Sequence, residues 1–276
     1  MAQSLKQLKT RIRSVEGIHK MTRAMEMVSS AKLRSLQKKF LTAHEYFSKM
    51  DSILSDLLSG CGDSTHGLIL PKTSKQKIFL CVVTSDTGLC GNYNSAVMHK
   101  AEEFIRKNSG KDLRLVVVGK KGMSHFKRSG LPIESSYTQG ADKLADELMD
   151  KFLKGFADEI YICYTDFESA SRHKPVLEKL LEIEKKKTKR VEFLAEPGAG
   201  EILNKLLPLY VRTKIRIILL GALTAEHSTR IMAMHEATDN AKELWDDLVL
   251  LRNKMRQEKI TSEIIEVISS VGAMKE

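Results

Sequence analysis

Apolar residues near both ends of the chain recur at alternating steps of three and four. Leu36, Phe40, Ala43, Phe47, Met50, Leu54 and Leu57 form one series, and Met234, Ala237, Ala241, Leu244, Leu248, Leu251 and Met255 form another. This spacing is the seam of a left-handed coiled coil. From Ser4 to about Leu58 there is no proline and only one glycine, Gly17, and no proline follows Pro208, so both series predict long uninterrupted helices. Upstream, Leu5, Leu8, Ile12 and Val15 make one seam. Ile18, Met21, Met25 and Val28 make another, offset by a three-residue step that predicts a local disturbance of the supercoil. Neither helix can bury its seam alone. The two are therefore expected to pair as a long antiparallel coiled coil, a rod made from both termini.

Between them the period changes. Ile78 to Val83 is a continuous apolar run closed by Thr84-Ser85-Asp86, as expected of a buried parallel strand. A helix over 94–108, a strand over 113–119, a helix around 121–128, a shorter strand over 132–137, a helix over 141–155 and a strand over 159–164 follow. That alternation predicts a Rossmann-like α/β domain. The fold class is thus α/β, with residues 77–195 inserted between an N-terminal coiled-coil helix over 1–58 and a C-terminal one over 201–276. Residues 175–181 and 191–194 have no clear assignment, and the basic run 185–190 reads as an exposed turn.

Charge adds an asymmetry. The net charge is +10, and residues 1–40 hold ten Lys or Arg against Glu16 and Glu26, whereas residues 225–276 hold seven basic against ten acidic side chains. The terminal helices are complementary, with positive charge left over for an acidic partner or solvent. A basic helix also fits nucleic acid, but no aromatic stacking residues accompany it. The runner-up reading, a free coiled-coil scaffold or nucleic-acid-binding protein, rests on that arm. The longest apolar stretch, Ile217 to Leu223, is too short to span a bilayer. No signal peptide or presequence is visible at the charged N-terminus. Cys61, Cys81, Cys90 and Cys163 form no C-x-x-C pair, so reduced thiols are expected.

A Rossmann-like sheet invites a nucleotide, yet the phosphate signatures fail. Gly119-Lys120-Lys121 lacks the upstream glycine and the Ser or Thr of a P-loop, Gly198-Ala199-Gly200 lacks a third glycine, and His235-Glu236 has no second histidine at zinc-protease spacing. No cofactor, metal or catalytic residue is expected. The most suggestive loop is Thr84 to Asn94, after the first strand, where α/β folds bind ligands. Its glycines fit either a phosphate or a tight turn offering a protein-binding surface. Catalysis by Cys90 would need a base that the sequence does not supply.

Three blocks carry a family resemblance. Leu8 to Val15, Lys20 to Val28 and Ala31 to Arg34 form the first, Ser85-Asp86 with Gly88 to Gly91 and Asn94 the second, and Ala237 to Ala241, Asn253-Lys254, Arg256-Gln257, Ile260-Thr261 and Glu263 the third. In order and separation they resemble the gamma subunit of the rotary F-type ATP synthase over nearly the whole chain. The resemblance implies a non-catalytic central rotor stalk turning inside a ring of alternating catalytic and non-catalytic subunits. Its other implied partners are an epsilon-type stalk subunit and the membrane c-ring, with no nucleic acid and no direct membrane span.

By the same resemblance, Arg256, Gln257 and Thr261 are polar catches against the catalytic subunits, and Met25 and Met27 lie on the neighbouring N-terminal surface. Lys20, Arg23 and Cys90 face the catalytic subunits' acidic lower levers, and the apolar tip from Ile264 to Val271 turns in a bearing. Departures from the family pattern are Thr87 and Asn92 in the central loop and Ala195, Lys214, Arg216, Gly221 and Ala222 in the foot. The cysteine pair of chloroplast relatives is missing, which argues against redox control. The expected location is the cytoplasmic face of a bacterial inner membrane, as a peripheral subunit.

Overall fold

The computed structural model describes residues 5–60, 66–69, 75–138, 140–169, 172–183 and 198–273. Cys61, the basic run 185–190, the segment 191–194 and Ala195 lie outside them. The order of elements is α1 (Leu5–Gly60), β1 (Lys77–Val83), α2 (Tyr93–Lys107), β2 (Asp112–Val118), α3 (Lys120–Phe126), β3 (Ile133–Tyr137), α4 (Ala141–Leu153), β4 (Glu159–Ser169), β5 (Arg172–Leu181) and α5 (Ala199–Ala273). The chain divides into two compact units, Ser30–Arg230 and the remainder, Met1–Ser29 with Ile231–Glu276.

In the larger unit the sheet order is β3-β2-β1-β4-β5. The first four strands run parallel and β5 returns antiparallel to β4. Alternation along the strands makes two apolar faces. Ile78, Leu80, Val82, Leu115 and Val117 pack with Val97 and Ala101 of α2 and Phe126 beside α3's end. Phe79, Cys81, Val83, Val116, Ile160 and Ile162 pack with Leu144, Leu148 and Phe152 of α4, Leu54 and Leu57 of α1, and Leu207, Val211 and Ile215 of α5. Helices on both faces explain why the inner strands read as continuous apolar runs. The unassigned stretch 175–181 is the second arm of a hairpin at the sheet edge, where Pro175 is tolerated because its missing N–H faces outward.

The smaller unit joins the first turns of α1 to the last turns of α5. Leu8, Ile12 and Val15 pack with Ala241 and Leu248 while Thr22 meets Thr238, so the two segments run antiparallel. The expected three-residue offset does not occur. Burial along α1 continues through His19, Thr22, Glu26, Ser29 and Leu33 at unbroken steps of four and three. Ile18, Met21 and Val28 stay 48%, 54% and 56% exposed. Polar contacts hold this setting: the Thr238 hydroxyl donates to the Thr22 hydroxyl at 2.8 Å, and Glu26 Oε1 lies 3.1 Å from His235 Nδ1. On α5, Met234, Ala241 and Leu248 are buried as expected, but Thr238 takes the layer assigned to Ala237, and Leu244 and Trp245 both stay exposed.

Candidate partner-contact sites

The loop Thr84–Asn92 joins β1 to α2, and β1 lies where the strand order reverses. In open α/β sheets that point opens a ligand crevice. Here Arg230 and Asn94 occupy the concave side of the loop, and a cavity of about 340 Å³ lined by Thr84, Asp86, Tyr93, Gly119, Tyr137 and Glu226, among others, stays open beside it. Asn94 Oδ1 accepts from the Ser85 amide at 2.9 Å, its Nδ2 donates to Ser85 Oγ at 2.7 Å, and Ser85 Oγ donates to the Thr87 carbonyl at 2.6 Å. From α5, Arg230 Nη2 donates to Thr87 Oγ1 at 2.9 Å, to the Gly88 carbonyl at 3.3 Å and to Glu226 Oε1 at 2.7 Å. Cys90, Tyr93 and Ala225 close the apolar floor, with Phe167 packed against them.

The Thr87 and Gly88 carbonyls meet the Arg230 guanidinium on the inside of the loop. The loop is a tight turn held by hydrogen bonds from Asn94 and Arg230. Burial raises the Glu226 carboxyl above its ordinary value against the opposing pull of Arg230. Burial, followed by the charges of Arg230 and Lys32, pushes His227 down to about 4. Cys90 is only 2% exposed, so its side chain supports the loop from below, and Leu89, 57% exposed, is the apolar residue the loop presents.

The smaller unit holds all seven of the other expected contacts. Lys20, Arg23 and Met27 are exposed and Met25 is half-buried. Lys20 pairs with Glu16 at 2.7 Å. Lys20 and Arg23 border a groove of about 330 Å³ with His19, Lys242, Asp246 and the half-exposed ring of Trp245, the sole tryptophan of the sequence. Farther along α5, every residue from Arg256 to Ser270 is exposed, including Gln257 and Thr261 and the apolar Ile260, Ile264, Ile265, Val267 and Ile268. No helix among the described residues is long and apolar enough to cross a membrane.

The foot residues that depart from the family pattern find partners in their own chain. Lys214 Nζ lies 2.6 Å from Glu178 Oε1, and Arg216 Nη2 lies 2.7 Å from Asp142 Oδ1. Gly221 admits the Phe40 ring, whose Cε2 would be 2.9 Å from an added Cβ. The sequence reading missed Arg230 and Glu226. One signal was visible: two charges at i and i+4, following the apolar run 217–223 on a helix, are costly unless they pair.

An α/β domain inserted between two long terminal helices, one of which ends in an exposed apolar stretch, is the architecture of a protein-binding subunit. The ATP synthase family model matches residues 4–274. The ATP synthase gamma chain of Desulfitobacterium hafniense is 36% identical, covering 99% of both chains, and that of Moorella thermoacetica is 36% identical, covering 98% of this chain and 99% of its own. The chain belongs to the ATP synthase family, among its gamma chains.

The fold agrees with solved structures of low identity. A chain from the central stalk and c-ring of Tetrahymena thermophila mitochondrial ATP synthase aligns with a TM-score of 0.60 at 22% identity, covering 79% of this chain and 99% of that one. A chain of the Euglena gracilis mitochondrial ATP synthase aligns with a TM-score of 0.68 at 15% identity, covering 98% and 94%.

Proposed function

We propose that the chain is the central rotor stalk subunit of an F-type ATP synthase, coupling ion-driven rotation of a membrane ring to ATP synthesis and, in reverse, ATP hydrolysis to rotation. The observation that carries this reading is the last part of α5. Arg256 to Ser270 expose five large aliphatic side chains, Ile260, Ile264, Ile265, Val267 and Ile268, that no described residue covers. Apolar surface of this kind marks an interaction site. An apolar contact lacks directional hydrogen bonds, so it can turn against a surrounding sleeve with little resistance.

The partners are the catalytic and non-catalytic ring subunits, an epsilon-type stalk subunit and the c-ring, which places the chain at the cytoplasmic face of a bacterial inner membrane. The axle makes and breaks no bonds. It can shift the nucleotide affinity of each catalytic subunit only through contacts that differ between orientations. Arg256, Gln257 and Thr261 are polar catches, and Lys20, Arg23, Met25 and Met27 belong to the second contact region.

Replacing Arg256 and Gln257 by alanine tests the catches. Coupled ATP turnover of the assembled enzyme should fall while the melting temperature of the chain stays the same, because both residues are exposed. Unchanged turnover would remove their assigned role. Native mass spectrometry of the complex recovered with the tagged chain should show one copy beside three each of two larger subunits; a monomer or homodimer would overturn the reading.

A further inference from the structure

We infer that the cavity beyond the carboxyl ends of β1 and β2 is a binding site for a small apolar amine, whose head is held by Tyr93, Glu226 and Asp86. The cavity measures about 340 Å³ and its lining residues all belong to the larger unit. Crevices outside the carboxyl ends of parallel strands are where open α/β sheets take ligands, and small-molecule sites begin at about 300 Å³. Val83, Val118, Leu144 and Leu223 supply apolar walls from β1, β2, α4 and α5. Gly119, Gly140 and Ala222 line it as well, and they are too small to close the space between those elements.

The polar groups at the cavity point to a missing occupant. Tyr93 is only 2% exposed and lines the cavity, yet its hydroxyl has no hydrogen-bond partner among the described residues. A buried tyrosine hydroxyl ordinarily has one. Glu226 gives Oε1 to Arg230, and its Oε2 has no partner among the described residues. Asp86 accepts from the Lys120 amide through Oδ1, and its Oδ2 is open in the same sense. Burial, and after it the charge of Glu226, keeps the Tyr93 hydroxyl protonated, while the charge of Asp86 adds to the burial that raises Glu226. The three groups therefore lie within electrostatic reach of one another.

What this end of the cavity lacks is donors. Carboxylate oxygens accept only, and the phenolic oxygen can accept too. The carboxylates also outnumber the guanidinium of Arg230. Arg216, the other cation of the lining, is already paired with Asp142 in an exposed contact. An ammonium supplies both the donors and the positive charge, and an anionic head would meet like charge. An occupant would touch β1, β2, α4 and α5 at once, so it should raise the melting temperature of the chain.

Phenylbutylamine is the probe, titrated into the full chain by isothermal calorimetry, with phenylbutanol and phenylbutyrate as controls that share its apolar body. The amine should bind saturably and about tenfold more tightly than the alcohol, the difference between a charge-assisted hydrogen bond and a neutral one, and the carboxylate should not bind. Methyl resonances of Val83, Val118 and Leu144 should shift as the amine is added. Tyr93→Phe should weaken amine binding several-fold without lowering the melting temperature of the free chain, because the lost hydroxyl leaves no partner behind. Leu223→Trp, at a wall position 41% exposed and so tolerant of a larger side chain, should abolish binding by filling the space. Equal affinity for the three probes, no saturable binding of the amine, or binding that both variants leave unchanged overturns the inference.

Discussion

Removing Arg230 should destabilise the larger unit more than any exposed charge could. Its side chain is 5% exposed and that of Glu226 10%, with 2.7 Å between the charged atoms. In Arg230→Met the Glu226 carboxylate would stay buried without its partner, near the like charge of Asp86. Breaking a buried pair from one side costs about 3 to 5 kcal/mol. For a unit of this size that corresponds to a fall in melting temperature of about 6 to 20 °C by calorimetry on the full chain. The companion variant, Arg230→Met with Glu226→Leu, removes both charges and should recover most of the loss, since a buried pair replaced by apolar residues is often neutral. Amide exchange at residues 84–94 should accelerate in both, because both lose the bonds to Thr87 and Gly88. A single variant that loses less than about 1 kcal/mol, the scale of a surface pair, would refute the reasoning. So would a double variant as unstable as the single one.

Three further outcomes follow from the same geometry. Gly119 has φ of 94° and an added Cβ would sit 2.2 Å from the Thr84 carbonyl oxygen; Gly119→Ala should cost about 3 kcal/mol or more and show as loss of soluble protein or of the cooperative melting transition. His227 should make the chain acid-sensitive: its folded value of about 4 lies below the ordinary 6.5, so its contribution is full above pH 6.5 and is lost as pH falls towards 4. In His227→Gln the stability lost between those two pH values should shrink, as measured by denaturant melts; an identical slope in both proteins would refute the assignment. Cys81 and Cys163 are buried in the sheet, where desolvation pushes their thiols up, so alkylation under native conditions should leave both unmodified and denaturation should expose them.

What the sequence made legible depended on whether one face or two decided a residue's place. Strands β1 and β2 are covered on both sides, so Ile78–Val83 and Leu113–Val118 announce themselves by apolarity alone. Strand β5 carries Arg172, Lys174, Pro175, Glu178 and Lys179 because it is an edge, and an edge strand must be polar enough to discourage further pairing. Its sequence therefore hides it. The seam of α1 misled in the opposite sense. Ile18, Met21, Met25 and Val28 outscore His19, Thr22, Glu26 and Ser29 in hydrophobicity, yet the flanking layers at Val15 and Leu33 are in phase with the polar set, and Thr22 finds Thr238 across the helix pair. Hydrophobic spacing cannot register a bond between residues more than two hundred positions apart. The polar positions Arg256, Gln257 and Thr261, expected from the sequence to be on the surface, are exposed on α5. Arg230 was not legible, since its role depends on a loop 142 positions away.

The tie between the β1–α2 loop and α5 gives these pieces a common logic. A doubly wound sheet offers a ligand site after β1 as a consequence of its topology, whatever its function. In this chain the α5 segment Ala225–Arg230 packs against the loop beside a cavity of about 340 Å³, so the turn after β1 is bound to the helix. The tie has mechanical value for a rotor. Hydrogen bonds from Arg230 tie the loop to α5 by a charge-assisted contact that excludes water, and apolar packing of Cys90 and Tyr93 on Ala225 backs it. A bound metabolite would have made that attachment depend on its concentration. A side chain of the same polypeptide makes it permanent, which suits a domain that must move with its helix. Lys214 pairs with Glu178 of β5 in a half-buried contact, whereas the Arg216–Asp142 pair to α4 is exposed and adds little.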